Sequence, residues 1–123
     1  MKITTFNPMI ISSKANDIMA VFEELGFEKR HNKVDADEEI GFSSTRMKDA
    51  NGFHVDVAQV DMVPRDMTSI RMNVDNFEEA YAILVAHGFM NPRTNETITP
   101  SSKSAYMVSP SGFSINLVKH IKK

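Results

Sequence analysis

The chain contains no cysteine. Disulfides, thiolate catalysis and cysteine-ligated zinc are therefore excluded together, and a cytoplasmic location is the expectation. An excess of basic residues is also missing: 14 Lys and Arg stand against 16 Asp and Glu, a formal net charge of −2. A phosphate-binding surface needs concentrated positive charge, so no nucleic-acid partner is expected. No apolar run approaches the ~20 residues of a membrane span. The opening MKITTFNPMII is broken at Asn7-Pro8 and is followed by no small-residue cleavage pattern, so neither a signal peptide nor a membrane partner is expected. The sequence also lacks a nucleophile elbow, a glycine-rich phosphate loop and a dinucleotide fingerprint.

The 123 residues are 41% hydrophobic and 24% charged, enough to bury the core of one compact domain. Nine are methionine; flexible thioethers fill core gaps and also suit a pliable ligand pocket.

Ile3 to Ser12, apolar and β-branched, reads as a strand. Pro8 cannot donate to a ladder, so an edge position or a bulge is expected there. Ser13 reads as an N-cap, Ile18, Phe22 and Leu25 follow at helical spacing, and Gly26 ends the helix. Phe27 to Val34 reads as a strand, residues 35–39 as a solvated acidic loop, and Ile40 to Lys48 as the next strand. Asn51-Gly52 predicts a tight primed hairpin turn. Phe53 to Val60 then alternates, with Phe53, Val55 and Val57 on one face and His54, Asp56 and Ala58 on the other.

Residues 61–68, with Pro64 inside, read as a linker, after which the pattern restarts. Ser69 to Val74 is a predicted strand. Asp75 with Glu78 has the spacing of a capping box, Phe77, Ala80, Tyr81 and Leu84 make an amphipathic helix, and Gly88 stops it. Phe89 to Thr97 reads as a weak strand interrupted by Pro92. Lys103 to Val108 and Phe113 to Lys119 form a last hairpin around Pro110 to Gly112.

Gly26-Phe27 matches Gly88-Phe89 at an offset of 62, which also pairs Ser13 with Asp75, Ala20 with Ala82 and Phe22 with Leu84. At an offset of 60, Met47 pairs with Met107, Phe53 with Phe113, Val55 with Ile115 and Val57 with Leu117. Matched residues share a job: cap, core face, helix stop or turn glycine. The expected fold class is α+β: a single domain over 1–123 built from two tandem βαβββ modules, about 1–62 and about 68–123. Each helix covers one face of its own sheet, and the uncovered faces are expected to curve, barrel-like, around a cleft.

The stretches SSKANDIMAVFEELGFEKR, VDNFEEAYAILVAHGF and YMVSPSGFSINLV resemble the vicinal oxygen chelate superfamily of glyoxalase I, bleomycin-resistance proteins and extradiol dioxygenases. The resemblance spans nearly the whole chain and implies paired βαβββ modules, a homodimer and ligand sites in the cleft. Enzymes of that superfamily hold a divalent metal on the first and last strands of each module. Carried over by position, the metal ligands would be Asn7 (or Pro8, if the register slips by one), Asp56, Ser69 and Asn116. Only Asp56 is a strong ligand for a hard or borderline cation, whereas a catalytic site usually needs about three good protein ligands. This set implies a member lacking most metal ligands, with no metal and no cofactor.

The histidines His31, His54, His87 and His120 form no metal-binding pair. His87 ends a helix, where the dipole favours it. His54 and Asp56 share a strand face, and Arg71 shares one with Ser69. Together they could bind a polar ligand or assist proton transfer; an Asp56–Arg71 ion pair with His54 at the rim is the structural alternative.

Three functions follow. The first is metal-independent binding of a small organic molecule, with Met9, Ile11 and Met107 as the apolar wall and Asn7, His54, Asp56, Ser69, Arg71 and Asn116 as the polar groups. The second is a divergent lyase, isomerase or dioxygenase with His54 and Asp56 as catalytic candidates. The third is a structural or interaction module whose cleft is filled.

Overall fold

The computed structural model describes residues 1–33, 43–92, 97–98 and 102–120. The acidic loop at 35–39, residues 40–42 of the expected third strand, Ser101 and the last three residues lie outside the described residues. The element order is β1 (Ile3–Ser12), α1 (Ala15–Glu24), β2 (Glu28–Lys33), β3 (Ser43–Lys48), β4 (His54–Gln59), β5 (Met67–Val74), α2 (Phe77–Ala86), β6 (Thr97–Ile98), β7 (Ser102–Val108) and β8 (Ser114–His120). The fold is α+β, and the order strand, helix, three strands occurs twice.

The chain forms two compact units, Asn7–Thr68 and Met1–Phe6 with Ser69–Lys123. In the first the strand order is β2-β3-β4-β1, with β1 and β4 parallel and the other pairs antiparallel. In the second it is β5-β8-β7-β6, with β5 and β8 parallel. Neither run closes on itself. The first six residues join the second unit because the chain start is tied to the start of α2. The Lys2 amide donates to Asp75 Oδ1 at 2.6 Å, the Asp75 amide donates to the Lys2 carbonyl at 3.1 Å, and the terminal ammonium lies 3.2 Å from Glu79 Oε1.

Each helix buries one stripe. Ala15 and Met19 of α1, with Ile18 and Phe22 beside them, pack on Met47, Val55 and Val57. Phe77, Ala80 and Leu84 of α2 pack on Met72, Val74, Ala105, Met107 and Leu117. Complete burial of a side chain such as Phe77, 1% exposed, stabilises by about 1.5–3 kcal/mol.

Both helices end the same way. The Phe27 amide donates to the Phe22 carbonyl (2.9 Å) and the Phe89 amide to the Leu84 carbonyl (3.0 Å), each across a glycine of positive φ. This six-to-one bond takes up carbonyls that a helix end otherwise leaves without partners. The hydrophobic contact that accompanies it is the Phe22–Phe27 edge-to-face pair, 5.4 Å between centroids.

The starts differ from expectation. Ser13 is not the cap of α1: Lys14 holds that position without a side-chain cap, and Ser12 Oγ accepts from the Lys14 amide. Asp75 does not cap α2 either, because its carboxylate is committed to Lys2; Asn76 accepts from the Glu79 amide instead. The stretch after Gly88 is not a continuous strand. A single bridge joins Met90 to Val108, and β6 is two residues long.

The predicted two-residue turn is a three-residue loop. The Asp49 carbonyl accepts from Gly52 (3.1 Å), Asp49 Oδ1 accepts from Asn51 and Phe53, and the Asp49 amide donates to the Phe53 carbonyl (3.0 Å). Ser109 does the same work in the second hairpin, with its carbonyl on Gly112 and its Oγ on the Phe113 amide. These closures fix the strand registers that place the polar residues described next.

Candidate functional site

The polar residues lie on the sheet face turned away from each unit's helix. In the first unit Val55 and Val57 face α1, so His54, Asp56 and Ala58 face the other way. The parallel register sets Met9 beside Asp56 and Ile11 beside Ala58. Asn7, Met9 and Ile11 are buried while Phe6 and Pro8 are exposed, so Asn7, not Pro8, occupies the β1 position on this face. Pairing with β4 begins at Met9, one residue past Pro8, and the missing N–H breaks no bond of that ladder.

The antiparallel register of β3 brings in two residues that the sequence reading did not single out. Arg46 lies opposite Asp56, and Lys48 opposite His54. Arg46 Nε donates to Asp56 Oδ1 at 3.1 Å and Nη2 to Oδ2 at 3.5 Å. The Asp56 side chain is 1% exposed and that of Arg46 28%. Burial, and then the charges of Arg46 and Lys48, hold the His54 imidazole below its ordinary value; Arg30 adds to this and Asp56 opposes it. Asn7 Nδ2 donates to the Pro8 carbonyl, while its buried Oδ1 meets no hydrogen-bond donor among the described residues.

In the second unit Ser69, Arg71 and Asn73 alternate with Met72 and Val74, which face α2. Arg71 pairs in register with Asn116, and Asn116 with Tyr106. Ser69 Oγ donates to the Ser114 carbonyl at 3.1 Å, and Arg71 Nε donates to Asn73 Oδ1 at 3.2 Å, both in buried surroundings. Ser69, Arg71 and Asn73 are each at most 5% exposed, and Asn116 and Tyr106 are half-buried.

The expected residues therefore fall into two sets: Asn7, Met9, His54 and Asp56 on one unit's face, and Ser69, Arg71 and Asn116 on the other's. Within the first unit the ion-pair partner of Asp56 is Arg46. Met107 does not belong to either polar face. It is fully buried under α2, because residues of β7 opposite Ile115 and Leu117 turn toward the helix. Ser102 and Lys103 open β7, and Lys103 reaches Glu78 at 2.7 Å. Arg46, Lys48 and Tyr106 were legible by counting back from the hairpin closures at Asp49–Phe53 and Ser109–Phe113.

The four positions carried over from the superfamily's metal ligands hold one charged group. Asp56 already shares its charge with Arg46, Lys48 stands near, and Ser69 spends its hydroxyl hydrogen on Ser114. Asn7 and Asn116 offer neutral amides. Among the described residues, no group of three or more His, Asp or Glu could hold a metal ion. Nor does any described helix have the length and apolar character to cross a membrane.

No protein-family model matches the chain, and no curated protein matches it. Solved structures do. A glyoxalase/bleomycin resistance protein/dioxygenase superfamily member from Vibrio splendidus matches 98% of this chain and 100% of its own, at 14% identity and a TM-score of 0.60. Methylmalonyl-CoA epimerase from Streptomyces coelicolor, in complex with 2-nitronate-propionyl-CoA, matches 96% of this chain and 95% of its own, at 13% identity and a TM-score of 0.68. A glyoxalase I mutant from Zea mays is matched over 98% of this chain and 45% of its own, at 11% identity and a TM-score of 0.66. With both polar faces turned away from their helices and relatives of this kind aligned over nearly every residue, the chain has the fold of the vicinal oxygen chelate superfamily.

Proposed function

We propose that the protein binds a small organic molecule without a metal. Two tandem βαβββ modules, about residues 1–62 and 68–123, each present a helix-free face to a ligand, and the chain acts as a homodimer. The observation that carries this reading is the donor set. Of the four positions where the superfamily places metal ligands, one is a carboxylate, and that carboxylate is neutralised by Arg46. What remains on the first unit is apolar surface from Met9 and Ile11 with the polar groups of Asn7 and His54, the usual composition of a small-molecule site, and the second unit's face offers Ser69, Arg71 and Asn116.

Native mass spectrometry of the purified protein tests this. The expected result is a dimer that carries no stoichiometric divalent metal and keeps its ligand affinity after chelator treatment. A metal retained at one per chain and needed for binding would overturn the reading.

A second reading rests on His54. An imidazole held below its ordinary value is neutral near pH 7 and can accept a proton. Asp56, paired with Arg46, would hold charge near it. A divergent lyase, isomerase or dioxygenase would use His54 as general base, and His54→Ala would abolish turnover while leaving the fold intact.

A further inference from the structure

The face of the first unit carries more positive charge than a neutral ligand needs. Arg46 and Lys48 sit on β3 directly across from Asp56 and His54, and Arg30 sits at the β2 bulge beside them. Among the described residues, two carboxylates on these strands oppose the cations. Asp56 is held by Arg46, and Glu28, across from Lys48, is exposed to solvent. Arg46 is fixed through Nε and Nη2, which leaves the outer edge of the guanidinium fork facing away from Asp56. A fork anchored on one side is pre-organised for a second anion on the other.

A second feature of the same face is independent of this charge. Asn7 is 5% exposed, its Nδ2 is taken by the Pro8 carbonyl, and its Oδ1 is buried with no donor among the described residues. Asn7 precedes Met9 by two residues just as His54 precedes Asp56, and Met9 pairs with Asp56, so Asn7 and His54 lie on the same face just beyond the first paired residues of adjacent strands. A buried acceptor without a donor is costly unless something supplies one. The neighbouring cations disfavour a metal ion in that role, which leaves an O–H or N–H group.

We propose that this face binds an organic anion that carries a hydroxyl or amide N–H next to its charged group. The carboxylate or phosphate is held by Arg46 and Lys48 beside His54, and the adjacent donor bonds to Asn7 Oδ1. This deepens the binding function proposed above and rests on it. The depressed His54 value fits a face in which the cations outweigh Asp56 at that ring.

The test is an NMR titration at pH 7.5, with ionic strength fixed by sodium chloride, that follows the His54 ring and the Met9 and Ala58 methyls. The probes are inorganic phosphate, glycolate, acetate and the uncharged ethylene glycol. Phosphate or glycolate should move His54 saturably. Lys48→Met should weaken that binding about tenfold and Lys48→Arg should restore it, the loss expected for one charge-assisted contact. Glycolate should bind several-fold more tightly than acetate, and Asn7→Leu should erase the difference. Phosphate and glycolate compared with each other identify the anion class, and dispersed amide spectra of each variant check the fold. No saturable His54 shift with any anion, or equal binding by wild type and Lys48→Met, overturns the proposal. If ethylene glycol still moves the Met9 and Ala58 methyls in that case, the anion assignment falls and the binding face stands; if all four probes are silent, both fall.

Discussion

Removing Arg46 should take from a buried carboxylate the counter-charge that β3 supplies. At 3.1 Å and an effective dielectric of about 20, the Arg46–Asp56 attraction is about 5 kcal/mol. Desolvation of the carboxylate takes back several kcal/mol. The pair lies between two regimes: exposed pairs contribute about 0–1 kcal/mol, and breaking a fully buried pair costs about 3–5 kcal/mol. With Asp56 at 1% exposure and Arg46 at 28%, Arg46→Met should cost about 2–3 kcal/mol, since the carboxylate keeps its desolvation penalty and loses this ion pair. Asp56→Asn should cost less, about 1 kcal/mol, because the partly exposed guanidinium recovers water. The double variant should be hardly worse than Asp56→Asn, giving a coupling energy of about 2 kcal/mol. Urea denaturation followed by circular dichroism measures all four proteins, and unchanged m-values would show that the denatured state is the same. The Arg46→Met midpoint should fall by about 8–12 °C in a thermal scan. A coupling below about 0.5 kcal/mol would refute the reasoning, because it would mean that the pair is screened as a surface pair is.

Three further outcomes follow from the geometry. Met47 and Met107 are both 0% exposed at equivalent points under α1 and α2, so alanine at either should cost about 2–5 kcal/mol and leucine under about 1.5 kcal/mol, read by urea denaturation; a tolerated Met47→Ala would mean that the core under α1 collapses freely. Gly26 (φ +109°) has nothing within 4 Å of an added Cβ, whereas at Gly88 (φ +88°) a Cβ would lie 2.9 Å from Pro110 Cγ. Gly26→Ala should therefore cost about 1–2 kcal/mol for the left-handed backbone, Gly88→Ala should cost more, and equal losses in thermal denaturation would refute the clash. His54 should titrate by NMR below its ordinary 6.5. A depressed histidine binds protons more weakly folded than unfolded, so its contribution is complete above about pH 6.5 and is lost as pH falls from there through the folded midpoint. His54→Gln should flatten that part of the stability–pH curve, and a midpoint above 6.5 would count against the cationic surroundings.

The recurrence of helix stops, turn glycines and apolar spacing was open to reading from the sequence because each is set by local stereochemistry. Gly26-Phe27 and Gly88-Phe89 end helices by the same bond, and Asn51-Gly52 and Ser111-Gly112 turn hairpins with the same closure. Period-two alternation likewise put His54 and Asp56 opposite Val55 and Val57. The start of α2 was not legible because a group distant in sequence competes for its cap: the Lys2 backbone amide takes the Asp75 carboxylate and leaves the position to Asn76.

The sequence by itself determined which residues share a strand face and where each helix and hairpin stops, since those depend on neighbours a few positions away. The tertiary structure decided the partners. Strand pairing brought Arg46 to Asp56, Lys48 to His54 and Tyr106 to Asn116, sent Met107 under α2, and buried the Asn7 oxygen with no donor among the described residues. Pairing register and burial arise from contacts between distant segments, and the charge around His54 and the neutralised carboxylate of Asp56 exist only once those segments meet.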